Sequence, residues 1–242
     1  MSERPQIERR ATALEILRSL VFYVVFYSGS LIVVLAAILA AQFAPRFFDR
    51  AAWAWSGYHR WCARILLGIH VSVGPFGPRP GVLYAIKHES FFEAIDLPYQ
   101  YPRPVVFAKA ELLRIPLWGP VGRRFGLIGV DRKAGARSLR AMLNEARRRI
   151  ADERPLIIFP EGTRVAHGSA APLQSGFAGL YKLLDLPVIP VAVDSGPLYN
   201  RRWKRSGMVH YRVGNEIPPG LDRAEIEARV LEQINVLSRF ES

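Results

Sequence analysis

From Ser19 to Pro45 the chain reads SLVFYVVFYSGSLIVVLAAILAAQFAP, 27 residues without a charge. A helix of about 20 apolar residues crosses a bilayer, so the run is long enough to do so. It is too long, and too poor in a small-residue cleavage pattern, to read as a secretory signal. So long an uncharged run is also unusual for the core helix of a soluble fold, and membrane contact is the reading it favours. Arg4, Arg9, Arg10 and Arg18 precede the run and Arg46, Arg50, Arg60 and Arg64 follow it. A single span would put one basic flank on the wrong side, because both carry the cytoplasmic signature. The sequence therefore predicts a hairpin that bends at Ser28, Gly29 and Ser30, with arms of about 20 Å, too short to cross. The amino terminus and the rest of the chain then share the cytoplasmic face.

Residues 47–69, FFDRAAWAWSGYHRWCARILLGI, interleave Trp53, Trp55, Tyr58 and Trp61 with arginines. Aromatic rings settle at the headgroup level and guanidinium groups answer lipid phosphates, so the stretch reads as an interfacial helix. Stacking on single-stranded nucleic acid is the rival reading. Net charge is +12 with pI near 10.3, and 28 of the 33 cations are arginine, which suits either polyanion. Beside an apolar hairpin the lipid reading is preferred, and no nucleic-acid partner is expected. Cys62 is the only cysteine, which excludes a disulfide framework or a cysteine-rich metal site.

After GPFGPRPG, residues 74–81, short apolar runs alternate with helical patterns: VLYAIK, PVVFAK, LIGVDR, RPLIIFP and PVIPVAVD. Such alternation predicts an α/β domain with a mostly parallel central sheet flanked by helices. Helices are predicted over 135–150, 175–185 and from Asp222 to Phe240. The expected division is a membrane-anchoring segment at 1–70 and an α/β domain at 71–242.

In open α/β sheets the ligand crevice lies beyond the carboxyl ends of the strands. His88 directly follows VLYAIK and Glu161 directly follows LIIFP, so both are expected at that edge. Ser90 to Glu93, SFFE, fits a capping box, which alone would explain the serine and the glutamate. The same segment suits chemistry: His88 as a general base, with Glu93 folding back onto one ring nitrogen. Lys87 is expected to alternate to the opposite face of the strand. His167 follows the arginine loop with no carboxylate partner evident in the sequence. No zinc spacing, P-loop, nucleophile elbow or dinucleotide fingerprint is present, so neither metal nor cofactor is expected.

Four blocks, His88 to Glu93, Lys109 to Arg132 (KAELLRIPLWGPVGRRFGLIGVDR), Phe159 to Arg164 (FPEGTR) and Val188 to Val191, together resemble the glycerolipid acyltransferase family. The resemblance covers roughly residues 80–195. It departs from the family's H-x4-D pattern at Glu93, whose extra methylene keeps the carboxylate and lengthens its reach. The resemblance implies transfer of an acyl group from a thioester, acyl-CoA or acyl carrier protein, to the hydroxyl of 1-acylglycerol-3-phosphate, giving phosphatidic acid. It further implies that His88 and Glu93 form the catalytic pair, that Lys109, Arg132 and Arg164 meet the acceptor's phosphate, and that Glu161, Gly162 and Thr163 shape the acceptor loop. Another lysolipid acceptor, such as a lyso-ornithine lipid, and a non-catalytic binding protein remain as alternatives.

Overall fold

The computed structural model describes residues 10–43, 47–131 and 135–238; Arg132, Arg4, Arg9, Arg46 and Phe240 lie outside them. Seven strands form one sheet: β1 (Ile69–Val73), β2 (Leu83–Ile86), β3 (Val105–Lys109), β4 (Leu127–Val130), β5 (Leu156–Ile158), β6 (Val188–Val193) and β7 (Gly207–Val213). Their order is β1-β7-β6-β2-β5-β3-β4. Every neighbouring pair is parallel except β6–β7. The sheet is thus mostly parallel, as the alternating pattern requires. The strand runs β1 and β7 are additions to the five expected ones, and the expected boundary at residues 70/71 falls inside β1.

Both faces of the sheet are covered, which is why β2 and β5 read as unbroken apolar runs. Strand pleating divides β2 between the two layers. Tyr84 and Ile86 pack under α1 (Ala13–Phe43), α2 (Phe48–Cys62) and α3 (Phe91–Gln100), against Phe22, Phe26, Cys62, Phe92 and Leu97. Leu83 and Ala85 face the opposite layer and pack with Met142, Phe177 and Val230. That layer holds α5 (Gly135–Ala151), α6 (Ser175–Leu184) and α8 (Arg223–Ile234); α4 (Trp118–Phe125) and the single turn α7 (Gly196–Tyr199) complete the helices used below. Asp222 caps α8, its side chain accepting from the Glu225 amide.

The apolar run does not bend at Gly29: α1 continues unbroken for 31 residues, about 46 Å at 1.5 Å per residue. Ser28 stays within the helix by donating its hydroxyl to the Val24 carbonyl at 2.7 Å. Gly29 serves packing instead, since a Cβ there would lie 2.4 Å from the Tyr58 hydroxyl oxygen. The missing side chain lets the α2 aromatic ring lie against the α1 backbone, and Tyr58 donates to the Val25 carbonyl at 2.6 Å. Trp55 donates to Ser30 at 2.9 Å, and Phe48 packs near Ala37, so α1 and α2 run antiparallel. The expected hairpin within residues 19–45 is therefore absent, and α1 pairs instead with α2. Leu20, Val24, Ile32, Leu35, Leu39 and Phe43 remain exposed on the outer side of α1, with Trp53 and Trp61 on α2.

His59 on α2 is fully buried among Phe22, Phe26, Phe92 and Tyr199 and pairs through Nε2 with the Tyr199 hydroxyl at 2.9 Å. Burial pushes its pKa down to about 4, so it packs as a neutral ring joining the anchor to the α/β layer.

Candidate active site

β2 ends at the sheet's crevice, and four residues turn the chain into α3. Pleating decides what each contributes. Lys87 continues the side of Leu83 and Ala85, and its ammonium donates to Glu161 at 2.6 Å, to Asn235 at 2.7 Å and to the Ser169 carbonyl at 3.1 Å. His88 continues the side of Tyr84 and Ile86, toward α3. Its imidazole stacks on Phe159 with 4.2 Å between centroids and is 16% exposed.

Nδ1 of His88 lies 2.9 Å from Glu93 Oε1. That oxygen also accepts from the amides of Glu89 at 2.6 Å and Ser90 at 2.7 Å. Oε2 accepts from the hydroxyls of Ser90 at 3.0 Å and Ser195 at 2.5 Å. The capping box is present, Ser90 accepting from the Phe92 amide at 2.9 Å. Cap and histidine partner are therefore the same carboxylate, and the longer arm of glutamate reaches both. Burial alone would raise the Glu93 pKa, but the hydrogen bond and charge of His88, with Ser195 and the Ser90 amide, hold the carboxyl below its ordinary value. With Nδ1 turned to an ionised carboxylate, the Nε2 lone pair is the one left to accept a proton.

Glu93→Gln should therefore separate the two roles. The amide oxygen can still accept at the cap, while the charge opposite the imidazolium is lost. We expect a fall in turnover of roughly 10²-fold, with the protein still folded at pH 7 but its unfolding midpoint lowered by the loss of the carboxylate's charge. The ionised Glu93 stabilises the fold above its unfolded pKa near 4.5, and that contribution is lost as pH falls through the lower folded value. Acid unfolding of the Gln variant should lack this component. A variant that loses only stability would leave Glu93 as a cap.

The FPEGTR loop closes over the same edge. Gly162 takes φ +67°, a left-handed conformation that glycine adopts freely, and its amide bonds the Phe159 carbonyl at 2.9 Å. The Val165 amide donates to the His88 carbonyl at 2.8 Å, tying the loop to the turn between β2 and α3. Glu161 is buried, with one oxygen on Lys87 and the other accepting from the His88 amide at 3.2 Å. Its carboxylate orders the turn. Thr163 and Arg164 are exposed. The Arg164 guanidinium lies 4.3 Å over the Phe91 ring and donates to Asn200 at 3.3 Å.

The expected residues do not all meet. Lys109 ends β3 on the same sheet edge but is 63% exposed, 3.8 Å from Glu111. His167 does have a carboxylate: its Nδ1 lies 3.0 and 3.2 Å from the two oxygens of Glu89. Glu89 also accepts from the Gly196 amide at 2.9 Å, so this second pair pins the turn to α7. Ser195, Asn200 and Asn235 carry contacts that the motifs do not announce. Ser195 reaches the site because it closely follows β6, which the fold places beside β2.

Next to Phe91 and Arg164 opens a groove of about 850 Å³ between α1 and the α/β layer. Tyr23, Phe26, Leu31 and Val34 of α1 form one wall, facing Ile95, Ile115, Leu117 and Trp118. Arg164, Arg201, Arg202 and Lys204 also line it. Neither His88 nor Glu93 lines the groove, but Phe91, three residues after His88, does; a histidine–carboxylate pair at the end of a parallel strand and an apolar groove with cations fit proton abstraction from an amphipathic, anionic substrate.

Residues 68–194 match the acyltransferase family model, more than half of the chain, and the chain belongs to that family. It is 25% identical over 207 residues to 1-acyl-sn-glycerol-3-phosphate acyltransferase from Pseudomonas aeruginosa, covering 83% of this chain and 78% of that one. Over 160 residues it is 32% identical to human 1-acyl-sn-glycerol-3-phosphate acyltransferase beta, covering 63% of this chain and 56% of the relative. The fold matches the crystal structure of the 1-acyl-sn-glycerophosphate (LPA) acyltransferase PlsC from Thermotoga maritima, with TM-score 0.67, 21% identity and 91% and 93% of the two chains covered.

Proposed function

We propose that this acyltransferase moves a fatty acyl group from a thioester, acyl-CoA or acyl carrier protein, to the free hydroxyl of 1-acylglycerol-3-phosphate, forming phosphatidic acid. The observations that carry the reading are the His88–Glu93 pair and an apolar groove with cationic residues on its wall, which Phe91, three residues after His88, also lines. An alcohol is a weak nucleophile until its proton is accepted. Nε2 of His88 takes that proton as the oxygen attacks the thioester carbonyl, while Glu93 stabilises the imidazolium. Collapse of the tetrahedral intermediate breaks the C–S bond, and the imidazolium returns the proton to the leaving thiolate. The acyl group passes directly to the acceptor, with neither an enzyme-bound acyl intermediate nor a cofactor.

Residues 1–70 act in this reading as the membrane anchor and 71–242 as the catalytic unit. α1 packs against α2 and α4 from Phe22 to Ala37, and those helices carry Arg50, Arg60, Arg123 and Arg124. Burying such neighbours in hydrocarbon is costly, so α1 lies along the cytoplasmic face with its outer side in lipid rather than crossing. A cysteine placed at Glu232, in a Cys62→Ser background, should resist an impermeant thiol reagent on intact cells. Labelling from outside would refute this placement.

The direct test is thiol release by the purified chain in detergent, dependent on added lysophosphatidate. In the same assay Arg164→Ala should raise the acceptor KM about tenfold and leave the donor KM unchanged, because its guanidinium is assigned to phosphate and not to thioester. A raised donor KM alone would count against that assignment.

A further inference from the structure

We infer that the acceptor's phosphate is held by the segment that follows α7, through Arg201, Arg202 and Lys204 acting with Arg164, and that Lys109 takes no part. The inference rests on the acceptor reading above and says which cations serve it.

All four residues line the groove, whereas among the described residues its wall does not include Lys109. The segment is stretched between the two structures that define the groove. At one end Asn200 accepts from Arg164 at 3.3 Å. At the other, the Arg202 carbonyl accepts from Tyr23 of α1 at 2.6 Å, and the Lys204 amide donates to Ser19 at 2.8 Å.

Lys204 is only 7% exposed. Its ammonium donates to the Tyr199 carbonyl at 2.9 Å and lies 3.7 Å from the Tyr199 ring centroid, with the Tyr23 ring centroid at 5.4 Å. Among the described residues no carboxylate lies within ion-pair distance of it, whereas Lys87, the other buried lysine, has Glu161. A desolvated cation is costly without an anion, and this one opens onto a substrate groove. Arg154, the other buried cation held by carbonyl groups, has no place on that wall.

A phosphate monoester carries about −1.5 to −2 charges near pH 7, more than Arg164 alone neutralises. Three further cations on the same wall supply the balance. From Tyr23 to Val34 the α1 wall extends about 16 Å along the helix, toward Leu31, Leu117 and Trp118, which gives the acyl chain its direction.

The test uses the full chain in detergent micelles, with Arg202→Gln and Lys204→Met assayed against lysophosphatidate and the acyl thioester separately. Binding of lysophosphatidate and of phosphate-free 1-acylglycerol is measured in parallel by calorimetry. Each variant should raise the lysophosphatidate KM and Kd tenfold or more, with the donor KM and 1-acylglycerol binding within twofold of the parent. Arg202 is exposed, so its variant keeps the test open should Lys204→Met fail to fold. Unchanged lysophosphatidate KM and Kd in a folded variant overturn the inference. A raised donor KM in place of the acceptor KM also overturns it, by assigning these cations to the donor's phosphates. Wild-type turnover with a phosphate-free lysolipid but not with lysophosphatidate refutes the acceptor reading itself, a failure distinguishable from the other two.

Discussion

His88→Ala should lower acyl transfer by roughly 10²- to 10⁴-fold, the usual contribution of a positioned general base, and leave the protein folded. The expectation of folding is specific. The backbone bonds of His88 to Val165 and Glu161 do not involve the ring, so the turn keeps its shape without it. Glu93 also keeps four other donors, from the Glu89 and Ser90 amides and the Ser90 and Ser195 hydroxyls. What disappears is the ring that leans on the Glu93 carboxylate and that, in the proposed reading, takes the acceptor's proton. Steady-state turnover with circular dichroism on the same preparation decides the matter. Activity within a few-fold of the parent would remove His88 from the mechanism.

Glu161→Leu should unfold the protein far more readily, by about 3–5 kcal/mol, because it strands the Lys87 ammonium in the core. Lys87 has two other acceptors, Asn235 and the Ser169 carbonyl, but both are neutral. The double variant Lys87→Met with Glu161→Leu should recover most of that loss, since removing both charges ends the burial problem. Turnover should not recover with it, because the His88 amide still lacks its Glu161 acceptor. Urea unfolding of the three variants beside their turnover gives both readings. A single variant within 1 kcal/mol of the parent would show that the pair is not the lock on the catalytic turn.

The sequence announced much of this, and the gaps have a common cause. His88 and Glu93 lie five residues apart on one turn, so strand end, cap and dyad could be read together. The five apolar runs became five adjacent parallel strands, β6-β2-β5-β3-β4, because buried parallel strands leave a continuous signature. Ser195, Asn235 and Glu89–His167 could not be read, because their partners are 102, 148 and 78 residues away and meet only through strand order. Gly29 misled for another reason: a glycine flanked by serines suits a turn, but here it makes room for the Tyr58 ring. For Lys109 the motif sets the sheet edge on which it lies and not the direction of a long, exposed side chain.

The groove has a consequence for how the enzyme can be handled. Tyr23, Phe26, Leu31 and Val34 belong to the same helix whose outer side presents Val24, Ile32 and Leu35 to the surroundings. On the proposed placement one rod is at once mooring and vessel wall. Trimming it to obtain a water-soluble fragment would not yield a smaller catalyst but an open half-shell, with Lys204 and the Phe92 layer uncovered. If the substrate is a lysolipid, as proposed, it would no longer find a container, and on that reading solubility and competence cannot be engineered apart in this chain.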